Sequence, residues 1–207
     1  MKRIVLAMSF LVCCVMMNAQ SDTEREMLEK IKETNAAYTS VIADFEQIKH
    51  MAIFDEDILS GGRLYYVKPD KLSMWYDNPE GDLMLINGDK FIMIASGRRN
   101  ETTSKNAKMR SMKAILSACL EGDVRQVETT AVECEETPRY YVVTAELATG
   151  KNNKSNISRV VVSYDKTDCS LSVLRTEESD GTYNVYELKG KMLNRPVEED
   201  VFISQKN

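Results

Sequence analysis

The chain offers few side chains that could carry out catalysis. Its single histidine, His50, is expected on the surface at a strand end, beside Lys49 and Met51. Nucleophilic catalysis by a Ser/His/Asp or Cys/His set needs an imidazole base. Zinc would need several His and Cys at ligand spacing, and Gly61-Gly62 precede a strand rather than a phosphate-binding helix. We therefore expect no enzyme, no cofactor and no metal.

Carboxylates supply the one catalytic alternative. Adjacent acids such as Glu135-Glu136 are expected by chance among 32 acidic residues. A glycosidase works with two carboxylates, so an exported hydrolase stays as an alternative hypothesis that no motif in the chain favours.

Composition narrows the class of protein further. The 207 residues are 43% apolar and 29% charged, with 9 Gly and 4 Pro, which is typical of a globular chain with one core. The net charge of −5 argues against a nucleic acid partner, because no overall positive charge attracts phosphates.

The N-terminus has the pattern of an export signal. Lys2 and Arg3 precede an apolar run over residues 4–17, and the small residue Ala19 follows. The run is shorter than the roughly 20 residues of a transmembrane helix, and polar residues follow at once, which disfavours an uncleaved anchor. We expect cleavage near Ala19, a signal peptide over 1–19 and a single domain over 20–207.

Three cysteines follow the signal: Cys119, Cys134 and Cys169. An odd number does not form a disulfide framework. Either one pair forms, with Cys134 and Cys169 as the better candidates, or all three are small buried hydrophobic residues.

Hydrophobic periodicity predicts a helix followed by strands. A capping box from Ser21 to Glu24 and apolar residues at helical spacing predict a helix over 21–39. Period-two patterns then predict successive strands, and Asn87-Gly88 is typical of a tight hairpin turn. These first five predicted strands cover 41–46, 63–67, 71–76, 83–86 and 91–95.

The Asn87-Gly88 hairpin is apolar on both faces, from Leu83 to Ile86 and from Phe91 to Ile94. A sheet with one face in water would alternate. Each face of this hairpin therefore needs a cover, and a helix can cover only one of them.

The second half of the chain reads as a basic loop over 97–111, a helix over about 106–121 ending at Gly122, and five more strands. Those strands cover about 124–134, 139–147, 157–164, 170–178 and 182–190. The order indicates an antiparallel α+β fold. About ten strands in one sheet tend to curl, so we expect helices to cover the concave face.

Two groups of residues admit both a functional and a plain interpretation. The basic stretch 98–113 is either a rim for anionic head groups or an acidic partner, or simply a solvated loop. The methionines of the hairpins and second helix either accommodate apolar ligands or fill the core, since thioether side chains do both.

Several motifs in order resemble the periplasmic outer-membrane lipoprotein carriers, the LolA-like proteins. They are Phe45-Glu46-Gln47 after a helix, the segment from Gly62 to Pro69, Leu72 to Tyr76, Asn78-Pro79 and the Asn87-Gly88 hairpin. The resemblance covers the mature chain and is strongest over 41–95.

The resemblance implies an unclosed β-barrel whose apolar concave face is lidded by helices. It further implies a periplasmic carrier, monomeric and without cofactor, that takes acylated lipoproteins or another lipid from an ATP-driven release complex of the inner membrane to an unidentified outer-membrane acceptor. The family's lid-holding arginine corresponds here to Lys68. A lipid- or lipoprotein-sensing module of the same fold is the alternative.

The candidate cargo-binding residues are the apolar ones on the predicted concave strands and on the second helix. They are Leu64, Tyr66, Leu72, Met74, Tyr76, Leu83, Leu85, Phe91, Met93, Met112, Ile115 and Leu116.

Overall fold

The computed structural model of the protein describes residues 22–148, 150 and 154–204. The predicted signal peptide therefore lies outside the described residues. Helix α1 spans 22–36, shorter at its C-terminal end than the prediction of 21–39. None of the helices in the described part of the chain is long and apolar enough to cross a membrane.

Eleven strands and one long helix follow α1. The strands are β1 (Ser40–Met51), β2 (Glu56–Val67), β3 (Lys71–Asn78), β4 (Glu80–Asn87), β5 (Lys90–Ala95), β6 (Arg98–Thr103), β7 (Thr129–Glu136), β8 (Tyr140–Leu147), β9 (Ile157–Asp165), β10 (Leu171–Glu178) and β11 (Tyr183–Leu193). Helix α2 (Ala107–Leu120) lies between β6 and β7, and two 3₁₀ turns cover Val124–Gln126 and Glu199–Phe202.

All strands belong to one antiparallel sheet that does not close into a barrel. The spatial order is β6-β5-β4-β3-β2-β1-β11-β10-β9-β8-β7, so β6 and β7 form its two edges. The pairing of β1 with β11, which includes Val41 with Leu193, joins the two halves of the chain in the middle. The predicted fold class, an α+β unclosed barrel with helices on the concave face, is confirmed.

The main core lies on the concave face, beneath the two helices. It joins Ile31 of α1 and Ile115 of α2 to strands from both halves of the sheet, such as Phe45 of β1 and Val162 of β9. This face is apolar because side chains alternate along each strand and only one set of them points inward.

The C-terminal segment covers part of the opposite, convex face. It therefore supplies the second cover that the Asn87-Gly88 hairpin, apolar on both faces, was predicted to need. Leu83, Leu85 and Ile92 form a separate buried cluster there, with Trp75 packed against them. The indole of Trp75 donates a hydrogen bond to the carbonyl of Val201 at 2.9 Å, and the neighbouring Phe202 is buried.

Three predictions of local structure were wrong. The basic segment 97–111 is not a loop, because Arg98–Thr103 forms the edge strand β6. Its side chains carry no apolar alternation, since an edge strand is held by main-chain pairing with β5 and by ion pairs such as Lys90–Glu101 at 3.0 Å. Residues 124–126 form a 3₁₀ turn rather than the start of a strand.

The third error concerns Gly61-Gly62, which lie inside β2 rather than opening a strand. A Cβ on Gly62 would lie 1.9 Å from the carbonyl oxygen of Trp75, so only glycine fits where β3 crosses this closely. The register shift between β2 and β3 falls at this pair. Glycine within a strand commonly marks such an irregularity.

Of the two alternatives left open for the cysteines, the structure favours the unbridged one. All three cysteines of the described part are free, with Cys119 and Cys169 buried. Burial raises the pKa of the Cys119 thiol to about 12 and that of Cys134 to about 11. They therefore behave as small hydrophobic residues, the other alternative.

Candidate functional site

An apolar cavity of about 140 Å³ lies between α2 and the concave face. Its walls come from both halves of the sheet and from the helix. The apolar lining residues are Leu64, Leu72, Met74, Met84, Met112, Leu116, Leu120, Ile157, Leu171, Leu174, Tyr186 and Leu188.

Polar residues line the same cavity at one end, which we call the cavity mouth. They are Lys108, Ser155, Asn156, Thr176, Glu178 and Asn184. β10 ends at Glu178 and β11 begins at Tyr183, so the mouth lies at the end of the strands where the β10–β11 turn is located. The site is therefore an apolar pocket with polar residues at one end, which is typical of a binding site for an apolar ligand that carries a polar group.

A buried hydrogen-bond network lies behind the mouth. The Gln47 amide donates to Asn184 Oδ1 at 3.0 Å and to the Tyr186 hydroxyl at 3.2 Å. The Tyr76 hydroxyl donates to Gln47 Oε1 at 2.9 Å. Burial raises the pKa of Tyr186 to about 12, so its hydroxyl stays neutral at physiological pH.

Helix α2 forms the cover of the cavity. Asn106 caps its N-terminus, since its Oδ1 accepts hydrogen bonds from the amides of Lys108 and Met109 at 3.0 and 3.3 Å. Two buried tyrosines hold its C-terminal end: Tyr66 donates to Glu121 Oε1 at 3.0 Å and Tyr164 donates to the Cys119 carbonyl at 2.8 Å.

Lys68 contacts α1 rather than the cavity cover α2. Its Nζ donates to the carbonyl of Asn35 at 2.7 Å, near the C-terminal end of α1, where a cation is favoured. Burial lowers the pKa of Lys68. The Asn35 amide in turn donates to the Cys169 carbonyl at 2.6 Å, so the α1 end is fixed to both halves of the sheet.

Five of the predicted site residues line the cavity: Leu64, Leu72, Met74, Met112 and Leu116. Four others belong to or pack against the same core without lining it, namely Tyr66, Tyr76, Phe91 and Ile115.

Three predicted residues lie elsewhere. Leu83 and Leu85 belong to the separate cluster beneath the C-terminal segment. Met93 is exposed on β5 and lines a smaller cleft of about 70 Å³, to which Met109 and Met112 also contribute. The two-faced hairpin left these assignments ambiguous, because apolar residues at every position do not show which set faces inward.

Sequence reasoning missed the cavity residues of the last strands, such as Leu171 and Leu174 of β10 and Leu188 of β11. The only sequence signal for them was their apolar character within the predicted strands 170–178 and 182–190. Nothing local indicated that β10 lies opposite β3 across the cavity. That arrangement follows from the pairing of β1 with β11.

The cavity lining is mostly apolar, which suits the binding of an apolar ligand. The described residues hold no group of three or more His, Cys, Asp or Glu that could bind a metal ion. His50, the single histidine, does not line the cavity; its Nδ1 lies 2.8 Å from Asp57 Oδ1 and its ring is stacked on Tyr183. The fold and the site define a protein with a helix-covered apolar pocket on an open, curled sheet.

The chain belongs to the family of outer membrane lipoprotein carrier proteins, LolA, whose model matches residues 36–205. The predicted family resemblance is thereby confirmed. No curated protein matches the chain.

Solved structures are similar to the chain at low sequence identity. A conserved protein of unknown role from Thermus thermophilus is 10% identical, with a TM-score of 0.53, over 88% of this chain and 95% of its own. A LolA superfamily protein from Nitrosomonas europaea is 12% identical, with a TM-score of 0.44, over 87% and 97%. The lipoprotein LppX from Mycobacterium tuberculosis is 10% identical, with a TM-score of 0.41, over 83% and 96%.

Proposed function

We propose that the protein is a soluble periplasmic carrier that binds the acyl chains of lipoproteins and moves them from the inner to the outer membrane. The observation that carries the proposal is the apolar cavity beneath α2, together with membership of the carrier family. Its partners are then an ATP-driven release complex in the inner membrane and an outer-membrane acceptor whose identity is open. The role is transport rather than catalysis.

Acyl chains need such shelter in water. Each methylene that leaves water gains about 0.8 kcal/mol, so a chain of a dozen or more methylenes needs a continuous apolar wall. An engineered apolar cavity of about 150 Å³ binds one benzene. A cavity of about 140 Å³ is therefore too small for an acyl chain. We infer that the protein is in a closed state and that α2 moves outward when cargo enters.

The contacts of α2 favour a movement of its N-terminal half. Buried tyrosine hydrogen bonds hold the C-terminal end, at Cys119 and Glu121. Nearer the N-terminus, Lys113 donates to the Gly88 carbonyl at 2.8 Å and the Ser111 hydroxyl accepts from the Lys154 amide at 3.0 Å. The other contacts there come from the flexible apolar side chains of Met109 and Met112. We propose that α2 pivots about its tyrosine-bound end and that the methionines adapt to the cargo.

Export is part of the proposal. Residues 1–19 serve as the signal peptide, and residues 20–207 form the mature domain. Lys108 at the mouth belongs to the basic stretch, where a cation can meet a head group or an acidic partner.

The direct test is organic extraction of the purified mature protein followed by mass spectrometry. We expect diacyl or triacyl species in the wild type, and at least about a tenfold smaller amount in Met112→Glu, because an ionised carboxylate in the cavity repels acyl chains. Met112 is half-buried, so this variant disturbs folding less than a charge at Leu72 or Met74, which are almost fully buried.

Met192→Glu is the matched control, since it makes the same replacement at an exposed site on β11. It should retain the wild-type lipid content. If Met112→Glu keeps its lipid as well, the cavity is not the cargo site. Transfer of the lipid to acceptor membranes then separates a carrier from a sensor, because a sensor binds without delivering.

A further inference from the structure

The end of the β1–β2 hairpin exposes a group of large apolar side chains. Ile53 is 81% exposed, Leu59 65% and Phe54 63%, and Ile48 and Ile58 are exposed beside them. Soluble proteins rarely gather this much apolar surface at one protruding point without a binding role.

These side chains surround the hairpin end on every side. Ile48 and Leu59 are directly paired and share one face of the two strands, whereas Ile58 pairs with Lys49 on the other face. Ile53 and Phe54 occupy the turn between the strands. A protein groove would cover one face and leave the other in water, so an apolar end of this shape fits a fluid apolar medium better.

The end of the β1–β2 hairpin lies at the same end of the strands as the cavity mouth. Lys49 of β1 pairs with Asn184, which lines the mouth. Ala52 lies close to the β10–β11 turn. A Cβ built on Gly181 of that turn would lie 3.5 Å from the Cβ of Ala52. Glu178, on the other side of that turn, also lines the mouth. A surface that the hairpin end enters would therefore lie next to the cavity mouth.

The charges around the turn restrict which surface it can enter. Asp55, Glu56 and Asp57 follow Phe54 directly, and the Asp55 side chain is almost fully exposed. Against them stand Lys49 and His50 on the facing strand. Carboxylates stay in the head-group region and are repelled by anionic lipid, so entry is shallow and favours zwitterionic phospholipid.

We propose that the tip of the β1–β2 hairpin docks into the surface of a zwitterionic phospholipid bilayer and places the cavity mouth against the membrane. The docking uses residues outside the cavity, so it goes beyond the proposed carrier function and can be tested separately from it.

Flotation with phosphatidylcholine vesicles at low ionic strength tests the docking. The wild-type mature protein should float with them, and less well with vesicles that also contain phosphatidylglycerol. The double variant Ile53→Ser/Phe54→Ser should lose at least about tenfold in partitioning, because two large apolar side chains no longer leave water. Ile203→Ser, at another exposed apolar residue (57%), is the matched control and should float like the wild type.

A fluorescence measurement checks the depth of entry. The chain has one tryptophan, Trp75, so Phe54→Trp adds a signal that should shift to the blue with vesicles and be quenched by lipids brominated near the head group. An unchanged emission on vesicle addition would contradict the proposal.

Three other results would overturn it: no flotation of the wild type on either vesicle, equal flotation of the double variant, or a dimer in light scattering that the double variant dissolves. The last result would make the tip an interface between two copies. Lipid extraction distinguishes the two proposals. A double variant that contains lipid but does not float supports both of them. A wild type that floats but contains no lipid contradicts only the carrier function.

Discussion

Filling the cavity should make the lipid-free protein more stable and a poorer binder of lipid. Leu174 lies on β10 with its side chain in the cavity wall. Empty apolar volume costs about 24 cal/mol per Å³, so the whole cavity of about 140 Å³ corresponds to about 3.4 kcal/mol. Leu174→Phe occupies part of that volume, and we expect a gain of about 0.5–2 kcal/mol in the free energy of unfolding.

The assay is urea unfolding of delipidated wild type and variant, because bound lipid would itself stabilise the wild type. A gain of 1 kcal/mol raises the melting temperature by roughly 2–4 °C in a chain of this size. Lipid recovered by extraction from the undelipidated variant should fall at the same time. Leu28→Phe is the control, since Leu28 is a buried residue of α1 that does not line the cavity.

A loss of stability in Leu174→Phe would contradict this prediction. A larger side chain in a filled core costs about 1–3 kcal/mol, and that is the effect expected for Leu28→Phe. If Leu174→Phe destabilises the protein by as much, the interior is packed in solution and no hollow for an acyl chain exists.

Three further predictions concern the framework of the site. Tyr66→Phe removes the hydrogen bond to the carboxylate of Glu121, and urea unfolding should show a loss of about 1.5–3 kcal/mol. Gly62→Ala forces a Cβ against the carbonyl of Trp75, so circular dichroism should show loss of the fold or severe destabilisation. Because burial raises the pKa of Tyr186 from 10.0 to about 12, the native state holds this proton more tightly than the unfolded state. The stability it contributes is complete below pH 10, falls as the pH rises to about 12, and should be followed by urea midpoints across that range.

Each of these predictions has its own control and its own contrary result. Tyr140→Phe alters a half-exposed tyrosine and should leave stability unchanged; an equal loss there would mean that the Glu121 contact is irrelevant. Gly61→Ala meets its nearest atom at 3.2 Å and should be tolerated better than Gly62→Ala. Tyr186→Phe should flatten the decline above pH 10, and an unchanged decline would assign it to other groups.

Much of the architecture could be predicted from local pattern. Helical spacing in α2, the Asn87-Gly88 turn and the alternation in the early strands identified their elements, because each is set by side chains a few residues apart. The edge strand β6 was missed since it has no apolar alternation and exists through its pairing with β5.

The sequence predicted cavity residues on β2, β3 and α2 but none on β9, β10 or β11. Leu72 and Met74 lie on a strand whose alternation distinguishes its two faces, and both line the cavity. Leu83 and Leu85 lie on a strand that is apolar on both faces, so the sequence did not indicate which face each residue joins. The C-terminal segment decides it, by covering the face that holds them.

What the sequence determined by itself is therefore most of the strands and helices, the family and the apolar character of the interior. The tertiary structure alone decided which apolar residues surround the cavity, that its mouth lies beside the β1–β2 hairpin, and that Lys68 binds α1. The physical reason is range. Periodicity records neighbours a few residues apart, whereas the cavity exists because β1 pairs with β11, and that contact joins residues as distant as Val41 and Leu193.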